Sequence, residues 1–201
     1  MSDKISTHAA TLSRHQEEDS KTTFGFWIYL MTDAIVFASL FAVYAVLRNN
    51  TNGGPDGQEL FSLPFILVET LILLVSSFTV GLAMLAVHRH DKRIAIIWLS
   101  VTLVLGMSFL AMEITEFTHL VQEGHSWRQS AFLSSFFTLV GTHGLHILVG
   151  ILWLGVMIAK VIREGLGRAN TRKLTLLAMF WHFLDVVWIF IFSIVYLIGA
   201  V

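Results

Sequence analysis

The stretch Pro64-Phe-Ile-Leu-Val-Glu-Thr-Leu-Ile-Leu-Leu-Val-Ser-Ser-Phe-Thr-Val-Gly-Leu-Ala-Met-Leu-Ala-Val87 decides the fold class of this chain. Its only charged residue is Glu69. A helix rises about 1.5 Å per residue and needs about 20 apolar residues to cross the hydrocarbon core of a bilayer. The stretch shows no alternation of apolar and polar positions, as a β-strand would. It therefore predicts a transmembrane α-helix.

Four further runs of the same kind lie on either side of this stretch. The five predicted spans are Phe24–Leu47, Pro64–Val87, Ile94–Leu120, Ser130–Ala159 and Leu174–Val201. Strands are excluded because five of them could not close a membrane barrel. We therefore expect an all-α, polytopic membrane protein built as a bundle of five transmembrane helices.

The composition agrees with a membrane protein that has one transmembrane domain, over residues 24–201. Of the 201 residues of the whole chain, 55% are hydrophobic and 13% are charged, whereas a soluble domain carries about 25% charged residues. The net charge of -1 gives no basic surface for nucleic acid. The absence of cysteine excludes disulfides, iron–sulfur clusters and thiolate metal sites. Residues 1–23 are polar and lack the apolar core of a signal peptide, so we expect a short disordered cytoplasmic tail.

The lysines and arginines predict the orientation. Eleven of the thirteen lie in the N-terminal tail, in the second loop or in the fourth loop and its flanks. Cytoplasmic segments of membrane proteins carry such an excess of cations. The N-terminus is therefore expected in the cytoplasm and the C-terminus in the periplasm.

Nine acids and histidines lie inside the apolar runs, and no lysine or arginine accompanies them near the middle of any span. By helical depth, five lie near the midplane: Asp33, His143, His146, His182 and Asp185. Four lie in the outer third: Glu69, Glu113, Glu116 and His119. Ionisable groups in hydrocarbon are costly, so they face a protein interior and usually mark function. We expect a buried polar network at these nine positions, with roles related to protons or lipid.

Glu113, Glu116 and His119 follow one another at intervals of three residues. Residues three apart lie on adjacent helical turns, so Glu116 is expected to contact both of the others. The pattern favours an internal hydrogen-bond network or a subunit contact. The alternative is a di-iron or di-manganese site, for which Glu-x-x-His is a known bundle motif, but this chain has no second copy of that motif.

His143 and His146 lie three residues apart beside Gly141 and Gly144, which permit close helix approach. Two structural histidines are the favoured interpretation. Haem ligation is the alternative, with His182 as an opposing ligand from another helix.

His182 and Asp185 are one turn apart and predict a neutral acid–imidazole pair. Trp181 and Trp188 share a face with Asp185, which favours helix packing. Asp33 has no cation at its depth, so we expect it to pair with His143 or His146. The alternative is a protonated Asp33 bonded to a backbone carbonyl or to lipid.

Four motifs together resemble subunit III of the haem–copper terminal oxidases, from about Phe24 to the C-terminus. They are Thr142-His-Gly-Leu-His146, Trp181-His-Phe-Leu-Asp-Val-Val-Trp188, Phe109-Leu-Ala-Met-Glu-Ile-Thr-Glu-Phe117 and Phe24-Gly-Phe-Trp-Ile-Tyr-Leu-Met-Thr-Asp33. Within that family the chain is most similar to the cytochrome o ubiquinol oxidases, because their subunit has five helices where the cytochrome c oxidases typically have seven. The turn Asn52-Gly-Gly-Pro-Asp-Gly57 and the short polar N-terminus agree with this.

The resemblance implies an accessory subunit of a proton-translocating ubiquinol:oxygen oxidase in the bacterial inner membrane. It implies that this chain holds no catalytic residue, cofactor or metal, and that the haems and copper reside in a catalytic large subunit. It also implies bound phospholipid, support of proton uptake and a longer working life for the large subunit. Many members have a carbodiimide-reactive glutamate where this chain has Asp33, whose shorter arm keeps the role of hydrogen-bond partner.

A proton-coupled transporter using its buried acids and histidines is the alternative function. Such transporters show inverted repeats or helices broken by glycine or proline near the midplane. The chain shows no repeat and has only two prolines.

Overall fold

The computed structural model describes the backbone of residues 2–53 and 62–199 and the side chains of residues 20–53 and 62–199. Five α-helices make up almost all of this part of the chain. They are α1 (Ser2–Leu47), α2 (Leu63–His88), α3 (Lys92–Gln122), α4 (Ala131–Glu164) and α5 (Arg168–Ile191). A single π-helical turn, Phe192–Leu197, follows α5. No strand occurs among the described residues.

All five predicted spans are confirmed as helices long and apolar enough to cross a bilayer. In α1 the membrane-spanning part is Ser20–Leu47. The helix itself begins at Ser2, where the sequence predicted a disordered tail. Residues 2–23 contain no proline or glycine, so nothing in the tail interrupts the helix. The predicted end of the fifth span at Val201 lies outside the described residues.

The helix ends follow from local chemistry. Asp91 caps α3 by accepting a hydrogen bond from the amide of Ile94 at 3.2 Å. Pro64 lies in the first turn of α2, where the missing N–H costs nothing. Gly165 ends α4 in a conformation with φ of 78°, which a residue with a Cβ atom rarely adopts. Asn52 and Gly53 also have positive φ in the first predicted turn, of which residues 54–57 lie outside the described part.

Residues up to Val36 form one compact unit, a single helix, and Phe37 begins the second. Within the second unit α2 packs on α3, α3 on α4, and α4 on α5, while α5 packs back against α2. These four helices enclose a common interior. Rings at the end of α1 also belong to this unit: Phe41 lies beside Phe190, and Tyr44 beside Phe132.

The distribution of polarity in the second unit is that of a membrane protein. Large apolar side chains such as Phe78 and Leu152 point outward, with 66% and 62% of their surface exposed. Glu69, Glu113 and His143 are buried. A soluble bundle would show the reverse arrangement, since wide exposed apolar surfaces are unfavourable in water.

Candidate functional site

Three acids from two helices meet a tyrosine in the interior. Glu69 of α2 interacts electrostatically with Glu113 and Glu116 of α3. Glu69 is fully buried and Glu113 is 2% exposed. Tyr196, on the π-helical turn, donates a hydrogen bond from its hydroxyl to Oε2 of Glu116 at 3.0 Å. We call Glu69, Glu113, Glu116 and Tyr196 the acid cluster.

Gly144 of α4 makes room for the carboxyl of Glu113. A Cβ atom added at Gly144 would lie 2.5 Å from Oε1 and 2.7 Å from Oε2 of Glu113. Any side chain at this position would therefore collide with the acid. The glycine of the His-Gly-Leu-His motif thus serves the acid cluster as well as helix packing.

His119 does not join the acid cluster, although its spacing from Glu116 predicted a contact. Its side chain is 71% exposed, and its Nδ1 lies 3.4 Å from Oε2 of Glu123. Within the described part of the chain, no three histidine or acid side chains are arranged to hold a metal ion.

His143 is fully buried among aromatic rings. Its ring centroid lies 5.3 Å from that of Trp188, 6.0 Å from Phe109 and 6.3 Å from Phe37. Neither of its ring nitrogens has a hydrogen-bond partner among the described residues. These rings surround the imidazole with protein.

His146 makes a local bond within its own helix. Its Nδ1 lies 2.7 Å from the carbonyl oxygen of Thr142 and donates to it. Its ring also lies 5.2 Å from Phe37, between centroids. Both histidines of the motif thus pack against Phe37 at the start of the second unit.

His182 and Asp185 are neighbours but not a close pair. The distance from Nδ1 of His182 to Oδ2 of Asp185 is 3.8 Å, which is longer than a hydrogen bond. Nδ1 of His182 instead lies 2.8 Å from the hydroxyl of Ser77 on α2. Asp185 is buried, whereas the side chain of His182 is 47% exposed.

The two tryptophans of the Trp181–Trp188 motif fasten α5 to α2. Trp181 donates from Nε1 to the hydroxyl of Ser76, and Trp188 donates to that of Thr70, both at 3.1 Å. Sequence reasoning missed these small hydroxyl residues, as it missed Tyr196 and Ser77. The signal for Thr70, Ser76 and Ser77 was a set of hydroxyl residues in the otherwise apolar second span.

Asp33 belongs to the unit that ends at Val36. Within that unit Tyr29, one turn earlier, interacts electrostatically with the Asp33 carboxyl. The pairing of Asp33 with His143 or His146 stays a prediction.

The fold and the buried acids and histidines define a multi-pass, all-α membrane protein. A family model described as cytochrome c oxidase subunit III matches residues 3–200. The chain belongs to this family, and the resemblance found in its motifs is confirmed.

Similar proteins carry both quinol and cytochrome c oxidase names. The chain is 56% identical over 184 residues to cytochrome bo(3) ubiquinol oxidase subunit 3 of Pseudomonas aeruginosa, covering 92% of this chain and 88% of the relative. It is 51% identical over 179 residues to the protein of that name from Pseudomonas putida, covering 89% and 86%. It is 42% identical over 196 residues to cytochrome c oxidase subunit 3 of a Bacillus species, covering 97% and 95%.

Proposed function

We propose that this chain is the accessory subunit III of a proton-translocating ubiquinol:oxygen oxidase in the bacterial respiratory chain. The observation that carries the proposal is its 56% identity, over most of both chains, to a relative named as a ubiquinol oxidase subunit. The relatives from Pseudomonas aeruginosa and Pseudomonas putida, at 56% and 51% identity, are both named ubiquinol oxidase subunits, which supports a quinol as the electron donor.

In this proposal the haem and copper chemistry takes place in the large subunit, and this chain stabilises that subunit. The outward apolar faces, which include Phe78 and Leu152, provide the surface for the large subunit and for phospholipid. This chain also supports proton uptake by the large subunit. Ubiquinol is oxidised and oxygen reduced without a redox group on this chain.

Deletion of this chain tests the proposal. The haem and copper spectra of the complex that still assembles are expected to stay intact, while ubiquinol oxidase activity declines progressively during turnover. The full-length chain supplied from a plasmid serves as the control and should restore sustained activity. Complete loss of oxygen reduction at the first turnover, with the large subunit intact, would show that this chain holds catalytic residues.

A further inference from the structure

The acid cluster contains carboxyl groups that find no hydrogen-bond partner among the described residues. Neither oxygen of Glu69 and neither oxygen of Glu113 has a hydrogen-bond partner among the described residues. Both side chains are almost completely buried, and the charged groups acting on Glu69 are the acids Glu116 and Glu113. An ionised carboxylate in such surroundings would cost several kcal/mol, so each acid needs a proton, a water molecule or both.

A cavity of about 410 Å³ adjoins this cluster at Glu116. Its lining includes Ser62 before α2, Thr115 and Glu116 of α3, and the exposed polar residues His119 and Glu123 at the end of α3. A water molecule occupies about 30 Å³ in the liquid and needs two to four polar partners. The cavity therefore has both the volume and the polar groups to hold several waters and to connect Glu116 with the aqueous phase.

We propose that the acid cluster binds water and holds protons, which it exchanges with the aqueous phase through this cavity. In the exchange, the O–H bond of a protonated carboxyl breaks and the proton passes to a water molecule. The carboxylate left behind is stabilised by hydrogen bonds from water and, at Glu116, by the hydroxyl of Tyr196. The reverse step restores the carboxylic acid. This inference concerns groups within this chain alone and does not depend on the electron donor of the oxidase.

Infrared spectroscopy of the intact purified complex tests the proposal, because a protonated carboxyl has a C=O band that shifts when its hydrogen is replaced by deuterium. Glu69→Gln and Glu113→Gln should each remove part of this band. Asp185→Asn removes the band of a buried acid that does not line the cavity and provides the control for assignment. No loss of carboxylic band in either glutamine variant would overturn the proposal.

Two matched variants on α3 test whether exchange takes place through the cavity. Thr115 and Thr118 are both exposed, and each donates to the carbonyl four residues earlier, at 2.8 Å and 2.7 Å, but only Thr115 lines the cavity. On transfer to D₂O, the band of the acid cluster should shift at least tenfold more slowly in Thr115→Phe than in Thr118→Phe. Equal rates in the two variants would overturn exchange through this cavity.

A second measurement covers the case in which a glutamine variant fails to assemble. A hydrophobic carbodiimide reacts with protonated carboxyls, so the wild-type complex should acquire an adduct on Glu69 or Glu113, located by peptide mass spectrometry. An adduct on neither residue, with Asp185 modified in the same sample, would overturn the proposal.

Discussion

Gly144 determines where the carboxyl of Glu113 can lie. In an ordinary helix, replacing glycine by alanine is stabilising by up to about 1 kcal/mol, because glycine has more conformational freedom to lose. At Gly144 the new Cβ would lie 2.5 Å from Oε1 of Glu113. We expect Gly144→Ala to destabilise the subunit by about 1–3 kcal/mol, the usual cost of overpacking, measured by thermal unfolding of the complex.

Two variants make this prediction specific to the acid. Gly155→Ala, on the same helix, meets nothing within 4 Å and should leave the unfolding temperature unchanged or raised. Removing the carboxyl in the double variant Gly144→Ala/Glu113→Ala should recover part of the loss. Equal effects of Gly144→Ala and Gly155→Ala would show that Glu113 does not constrain this position.

The sequence predicted three of the four acid-cluster partners at the same depth but misplaced His119. The three acids do interact, whereas the spacing of three residues placed His119 on the same face as Glu116 and did not account for its larger angle from Glu113. At about 100° per residue, His119 points roughly 120° away from Glu113, and in the structure Glu113 is buried while His119 is exposed. Tyr196 was missed because it reaches Glu116 from a π-helical turn. No pattern in the sequence before Tyr196 predicts such a turn.

At the scale of helices, Trp181 joins α5 to α3 and α4 by filling space that two glycines leave open. A Cβ atom at Gly106 would lie 2.8 Å from Cη2 of Trp181, and one at Gly150 would lie 3.2 Å from Cζ3. The indole is also held by its bond to Ser76, so it cannot move away without losing that partner. Small residues of this kind let membrane helices approach closely.

We expect Gly106→Ala to destabilise the complex by about 1–3 kcal/mol, because a rigid ring must shift inside a packed interface. The comparison is Gly81→Ala on α2, where a Cβ meets nothing within 4 Å. Thermal unfolding of the two variants measures the difference. A Gly106→Ala complex as stable as Gly81→Ala would mean that Trp181 does not depend on this space.

The sequence located the helices better than it located their ends. The predicted fourth span stopped at Ala159, but α4 continues to Glu164, and α5 begins at Arg168 where Leu174 was expected. Apolarity marks only the part of a helix inside hydrocarbon. The helix itself continues until a residue such as Gly165 allows the chain to turn.

For the molecule as a whole, side-chain and backbone contacts define two ends of the bundle. Lys92 donates from Nζ to the carbonyl of Ile162 at 2.9 Å, so the loop between α2 and α3 and the end of α4 lie at one end. The amide of Phe132 bonds to the carbonyl of Asn50 at 3.3 Å, so the loop after α1 and the start of α4 lie at the other. The first end carries most of the lysines and arginines of the loops.

This asymmetry predicts which end faces the cytoplasm. Because loops rich in lysine and arginine are retained in the cytoplasm, a reporter inserted between Gly165 and Lys173 should read as cytoplasmic. One fused after Val201 should read as periplasmic, since the fifth span returns the chain to the opposite side. Paired alkaline phosphatase and green fluorescent protein fusions at each site provide the measurement and its control, because the former is active only in the periplasm and the latter fluoresces only in the cytoplasm. A fluorescent fusion after Val201 would contradict the predicted orientation, and with it the assignment of the acid-cluster end of α3 to the periplasmic side.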